Sequence, residues 1–207
     1  MELVEVLARR RMVRRYDPDA AVRPEDLDAV LAAALRAPSA GFTQGVSLLV
    51  LGTVEQRARF WSAAGSSSPG PADPPNRWLD GMRTAPVLVL VLTSREAYLD
   101  RYAEPDKGWT DRDEGRWSAP YWFVDAGMAA MAMLLRAVDL GLGACFFGVP
   151  ADRVEAVQEA FAVPAEQLVV GLVSLGHPAP DGDRGSRGSP AQRPRRPVDE
   201  VVHRGRW

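Results

Sequence analysis

Tyr121-Trp122-Phe123-Val124-Asp125-Ala126-Gly127-Met128-Ala129-Ala130-Met131-Ala132-Met133-Leu134-Leu135 is the stretch whose reading decides the fold. From Ala119 or Pro120 to Leu140 the pattern predicts one long helix, ended by Gly141-Leu142-Gly143, that is small and apolar almost all round. A helix without a polar face has to be covered on every side. Its length suggests a membrane span, but Asp125, Arg136 and Asp139 would each be costly in hydrocarbon, so a buried helix is expected. A chain of 207 residues offers few covering layers, which predicts a partner subunit against this helix.

Outward from that helix, the elements alternate. A first helix is predicted over Glu2 to Arg10 with Leu3, Val6 and Leu7 on one side, and a second from Arg23-Pro24-Glu25-Asp26 with Leu27, Val30, Leu31, Ala34 and Leu35. Pro38 ends it. Val46 to Leu51 reads as a strand, followed by a helix that opens on the capping box Thr53-Val54-Glu55-Gln56. Ser66 to Asn76 is rich in Ser, Pro and Gly and reads as a mobile loop.

Pro86 to Leu92 is a continuous apolar run, hence a strand buried on both faces. Ser94 to Tyr102 is predicted helical, and Ala103 to Ser118 an irregular charged excursion holding Trp109 and Trp117. After the long helix come a short strand over Ala144 to Phe147, a helix from Pro150 to about Phe161 and a last strand over Gln167 to Leu175. From His177 the chain loses periodicity and reads as an extended arm, ordered by wrapping a second subunit. The sum is α+β, one domain over 1–207 with one sheet and helices around it.

Composition narrows the function. The net charge of −2 leaves no global basic field for nucleic acid. Cys145 is the only cysteine, so no intrachain disulfide forms, and His177 and His203 show no ligand-like spacing for zinc. Met1 to Arg11 is charged and amphipathic and not a secretory signal, so a cytoplasmic protein without a membrane or nucleic-acid partner is expected.

Positive charge is concentrated in two places. Arg10-Arg11-Met12-Val13-Arg14-Arg15-Tyr16 follows the first helix, and Arg193-Pro194-Arg195-Arg196-Pro197 lies near the other end. Two arginine clusters that fold to one point could hold a dianionic phosphate, because the guanidinium fork binds its oxygens bidentately. That chemistry points to a phosphate-bearing cofactor. Asp125 is expected to pair with an arginine, Tyr16 to anchor in the core, and Cys145 to behave as a small buried hydrophobe. Trp109, Trp117, Tyr121 and Trp122 suit either a substrate lid or the packing of the excursion.

Four motifs in order resemble the FMN-dependent nitroreductase family over nearly the whole chain. They are Arg-Arg-x-x-Arg-x-Tyr after the first helix, Ala37-Pro38-Ser39-Ala40-Gly41-x-Thr43-Gln44 after the second, Gly141-Leu142-Gly143, and Arg-x-Pro with Val-Asp-Glu-Val-Val-His near the end. The resemblance implies a mostly antiparallel sheet flanked by helices, in an intertwined homodimer with two FMN sites between subunits and an arm from about 177 to 207. It implies that Arg10, Arg11, Arg14, Arg193 and Arg195 grip the phosphate, and that Pro38, Ser39 and Ala40 of the other subunit pass along the flavin. A backbone N–H of Phe146, Phe147 or Gly148 would point at flavin N5. Met12 and Phe42 occupy cofactor-contact positions where the family has Ser and Asn, and Gly45-Val46 replaces a Pro-aromatic pair.

The function implied is an NAD(P)H oxidoreductase working by ping-pong hydride transfer through the flavin to nitroaromatics, quinones or similar small electron acceptors. Because the flavin carries the chemistry, no catalytic side chain is assigned. Two alternatives stay open: a protein that stores FMN with little turnover, and a specialised flavin or deazaflavin oxidoreductase of a biosynthetic pathway.

Overall fold

The computed structural model describes residues 1–65, 76–180 and 194–207. Its sheet has four strands, β1 (Val46–Leu51), β2 (Val87–Thr93), β3 (Gly143–Phe147) and β4 (Leu168–Gly176), in the order β1-β2-β4-β3 and antiparallel throughout. Around it stand α1 (Leu3–Arg9), α2 (Pro24–Ala34), α3 (Val54–Ala63), α4 (Arg77–Arg83), α5 (Arg95–Ala103), α6 (Tyr121–Asp139) and α7 (Val154–Ala160). The architecture is α+β, as expected.

The buried run at β2 explains the layering. Alternate side chains of a strand point to opposite faces. Val87, Val89 and Val91 enter a core with Val30, Ala126, Ala130 and Met133 of α2 and α6. Leu88, Leu90 and Leu92 enter a second core with Phe60, Trp61, Met82 and Val157 of α3, α4 and α7. The strand is central and covered twice, which is why it lacks polar alternation.

Local signals set the helix ends. The Thr53 hydroxyl accepts from the Gln56 N–H while the Gln56 side chain accepts from the Thr53 N–H. Ser94 caps α5 and Asn76 caps α4 through bonds to the backbone three residues on. In α1 only Val6 is buried, whereas Leu3 and Leu7 face outward. The helix is too short to reach the core with a whole face.

The long helix behaves differently on its two sides. Ala126, Ala129, Ala130, Met133 and Ala137 are buried against the sheet and α2. Phe123, Val124, Met128 and Met131 are exposed. Complete cover, expected of an apolar helix, is therefore supplied on one side only by the described residues of this chain. Of the loop expected over Ser66 to Asn76, residues 66–75 lie outside the described residues and Asn76 caps α4; of the arm expected from His177, residues 181–193 lie outside them.

Candidate functional site

The arginine motif is a ribbon pinned to the sheet. Met12 forms a parallel bridge with Ala144 of β3, and the Val13 N–H donates to the Ala144 carbonyl at 2.9 Å. Tyr16 is buried, as expected of an anchor; its hydroxyl donates to the Val13 carbonyl at 2.6 Å and lies 2.7 Å from Ser174 Oγ. Ser174 Oγ in turn donates to the Cys145 carbonyl at 3.2 Å. The Tyr16 N–H is taken by Thr84 Oγ1 at 2.8 Å.

On the other side α4 presses against the ribbon through Gly81. A Cβ there would fall 2.3 Å from the Arg14 carbonyl oxygen, so any side chain would force the two apart. Arg10 is half-buried and Arg11 exposed, and neither has a hydrogen-bond or ion-pair partner among the described residues. Arg9, Arg11, Val13, Leu142 and Gly143 line a hollow of about 170 Å³ beside the ribbon. That is below the ~300–1,000 Å³ usual for a ligand pocket, so a ring system needs a further wall.

The Pro38–Gln44 turn lies at the opposite end of the sheet. It leads into Val46, which pairs with Thr93, whereas the ribbon bridges Ala144, which pairs with Leu175. Three of its residues are left-handed: Gly41 at φ 63°, Phe42 at 55° and Gln44 at 55°. For a residue with a Cβ this costs about 1–2 kcal/mol. Phe42 is also 75% exposed, so its own packing within the protomer does not repay that cost.

Contacts from α5 and α6 hold the turn. The Ala40 N–H and the Tyr98 hydroxyl both donate to Asp125 Oδ2, each at 2.7 Å. Arg101 Nε donates to the Gly41 carbonyl at 2.9 Å, and the Gln44 N–H donates to Ser39 Oγ at 3.0 Å. Tyr102 packs so closely on Gly41 that a Cβ would lie 2.7 Å from its ring. Burial, helped by the neighbouring Asp125 carboxylate, pushes the Tyr98 hydroxyl far above its usual range and keeps it a donor.

Asp125 departs from expectation. It is 2% exposed, and among the described residues no arginine pairs with it; its partners there, the Ala40 N–H and the Tyr98 hydroxyl, are neutral donors. A lone carboxylate on an apolar helix was the available signal. Its partners stand 85 and 27 residues away, so no local spacing reveals them.

At the end of β3, Phe147 stacks on Trp61 at 5.8 Å and meets Phe60 and Trp78 edge-on. Phe146 packs against the core under α6. Gly148 is exposed with open space where a Cβ would stand, so of these three its backbone is the approachable one. Met12 packs into both cores, a position without a hydrogen-bond donor.

The excursion is packed rather than open. Trp109 and Trp117 meet Tyr102 at 4.8 and 4.3 Å, and Trp117 also meets Tyr98 and Tyr121. Of the expected arm, Pro178 bridges Tyr16 and the Ala179 N–H donates to the Arg15 carbonyl at 3.1 Å. Arg193 lies outside the described residues. Every residue from 194 to 207 is exposed; Arg196 pairs with Glu200, His203 stacks on Trp207, and Arg195 has no partner among the described residues.

The chain thus holds an arginine ribbon and the open end of β3, with a braced turn at the far end of the sheet. The Nitroreductase family model matches residues 7–177, and the chain belongs to that family. Over 181 residues it is 28% identical to a Methanothermobacter thermautotrophicus protein assigned as an NADH dehydrogenase or NAD(P)H nitroreductase, covering 86% of this chain and 78% of that one. It is also similar to a Desulfovibrio desulfuricans nitroreductase solved in complex with FMN, at 27% identity, TM-score 0.69 and 98% and 95% coverage. A Bacillus subtilis nitroreductase shares the fold at 19% identity and TM-score 0.73, over 99% of this chain and 74% of that one.

Proposed function

We propose that this protein is an FMN-dependent NAD(P)H oxidoreductase acting as a homodimer, with two sites between subunits. The observation that carries the reading is the pinned ribbon, which presents Arg10 and Arg11 beside β3 without partners among the described residues. Guanidinium forks carried on a pinned backbone fit a phosphomonoester, whose oxygens they bind bidentately. The FMN complex of the Desulfovibrio relative supports the same assignment.

In this reading Arg10, Arg11 and Arg14 hold the phosphate, joined by Arg193 and Arg195 from the arm. Pro38, Ser39 and Ala40 of the partner subunit supply the second wall, with Phe42 beside them. The backbone at Phe146, Phe147 and Gly148 faces the ring, Gly148 being the most open to a donor contact. Two exposed surfaces favour a second copy: the apolar side of α6 and the segment 194–207, every residue of which is exposed.

When bound, FMN would supply the redox chemistry, ping-pong hydride transfer from NAD(P)H to a nitroaromatic, quinone or similar acceptor. The protein's own part is to anchor the phosphate, confine the ring between the turn and β3, and keep water from its face. Those tasks need no nucleophile or acid–base dyad.

A second reading, an FMN store with little turnover, draws on Met12, whose thioether is packed in the cores and donates nothing. Mass analysis of the ligand released from purified protein, followed by anaerobic NADPH, decides between them. Released FMN and rapid loss of yellow colour are expected. An unchanged spectrum makes the protein a store, and a deazaflavin or no flavin at all overturns the FMN assignment.

A further inference from the structure

Three features of the Pro38–Gln44 turn combine into a device that the arginine cradle does not explain. Its backbone is left-handed at Gly41, Phe42 and Gln44, a conformation that residues with a Cβ rarely adopt and leave when unrestrained. Its Ala40 N–H is satisfied by a carboxylate belonging to another element. That carboxylate is buried on α6, with no cation in ion-pair contact among the described residues. Burying a carboxylate opposite neutral donors alone is unfavourable unless those bonds do something the fold needs.

The chemistry of the alternatives is instructive. An alanine or leucine at position 125 would suit the apolar helix better than a charge does. It would leave the Ala40 N–H and the Tyr98 hydroxyl without an acceptor. Tyr98 could be relieved by losing its hydroxyl, as in phenylalanine, but a backbone N–H cannot be removed. The lasting need for an acceptor at this place is therefore Ala40, and through it the geometry of the turn.

We propose that Asp125 is a positioning residue: it fixes the strained Pro38–Gln44 turn through the Ala40 N–H, so that the turn is ready to line the flavin of the partner subunit. Arg101, donating to the Gly41 carbonyl, and Tyr102, packed on Gly41, brace the other side. This role rests on the flavin reading above. The same residue sits next to Val124 on the uncovered side of α6, so the helix turn that holds the loop also borders the surface offered to a second copy.

The test has one readout without flavin and one with it. In the flavin-free protein, hydrogen exchange of the 38–43 segment reports the Ala40 bond directly. Fluorescence titration with FMN reports the use made of it. Asp125→Ala should abolish the protection and weaken FMN binding about tenfold, while leaving the oligomeric mass unchanged. Asp125→Asn, which keeps an acceptor oxygen, should restore both. Tyr98→Phe should keep the protection and hold FMN affinity within threefold. Adding Phe42→Gly to Asp125→Ala should recover part of the affinity, because glycine keeps the left-handed turn without help.

Protection that survives in Asp125→Ala overturns the clamp. Lost protection with unchanged FMN affinity overturns its role at the flavin, and a tenfold loss in Tyr98→Phe makes Asp125 a packing group. Wild-type protein that protects Ala40 yet takes up no FMN overturns the flavin reading and this role with it, and the retained protection marks that failure as a different one.

Discussion

Arginine is dense in two regions of this protein, and the two treat it in opposite ways. In α5 and the excursion after it each arginine meets acid: Arg95 pairs with Glu96 and Glu114, Arg101 with Glu104 and Asp106, Arg112 with Glu96 and Asp100, and Arg116 with Asp111. In the ribbon the backbone is tied down at Val13 and Tyr16, yet Arg10 and Arg11 have no partner among the described residues. A neutralised cluster holds its own segment together, whereas Arg10 and Arg11, uncommitted among the described residues and carried on a tied backbone, are available to a ligand. Density of charge does not separate the two; pairing does.

Charge removal should therefore cost binding in one region and order in the other. The largest effect is expected at Arg10→Ala and at Arg195→Ala. Each should weaken FMN by about 1.5–3 kcal/mol, the range for a hydrogen bond to a charged group, or roughly ten- to a hundredfold in Kd by equilibrium titration. The apoprotein should melt within about 2 °C of wild type, since surface substitutions stay near ±0.5 kcal/mol. Unchanged affinity in Arg195→Ala would remove the arm from the site. A large loss of stability in Arg10→Ala would erase the distinction between the regions.

Next comes the tie that makes the ribbon rigid. Tyr16→Phe deprives the Val13 carbonyl and Ser174 Oγ of a buried partner. A cost of about 2 kcal/mol follows from leaving such groups unmet, or about 4–8 °C in the melting midpoint. The pairing of the excursion should be untouched, because its bonds do not pass through Tyr16. Thermal melting together with hydrogen exchange at 10–16 and 103–118 checks both halves.

The same contrast explains what was legible in the sequence. The strand Val46–Leu51 carries its own pattern and appears with those bounds, and the Thr53–Gln56 capping box is local by nature. The chain's layering follows from β2, where a continuous apolar run can only be central. Both arginine clusters were visible as residue types, but whether Arg10 has a partner depends on what the fold brings near it. α4 was missed because it begins on an Asn cap directly after a stretch rich in Ser, Pro and Gly, and no periodicity precedes it. The partner of Asp125 was misjudged for a related reason: a buried carboxylate suggests a cation, yet a backbone N–H 85 residues away served instead.

The smallest effect, and the sharpest on direction, is with pH. Bonds from Arg116, Arg101 and Arg95 hold the carboxyls of Asp111, Asp106 and Glu96 below their ordinary values. A carboxyl whose folded value is depressed stabilises the folded form while it is ionised. That contribution is complete above the unfolded value near 4 and is lost as pH falls from there through the depressed values. The ribbon's ties at Val13 and Tyr16 are hydroxyl and backbone bonds that do not titrate in this range. Acidification from about pH 5 toward 3 should thus release exchange protection at 103–118 before 10–16, and added salt at neutral pH should mimic part of it, since these pairs are exposed. Arg116→Gln should blunt the acid response around Asp111 and leave FMN affinity where it was. If the ribbon loosens first, its rigidity depends on a titrating pair, and the division between paired and uncommitted arginines breaks down.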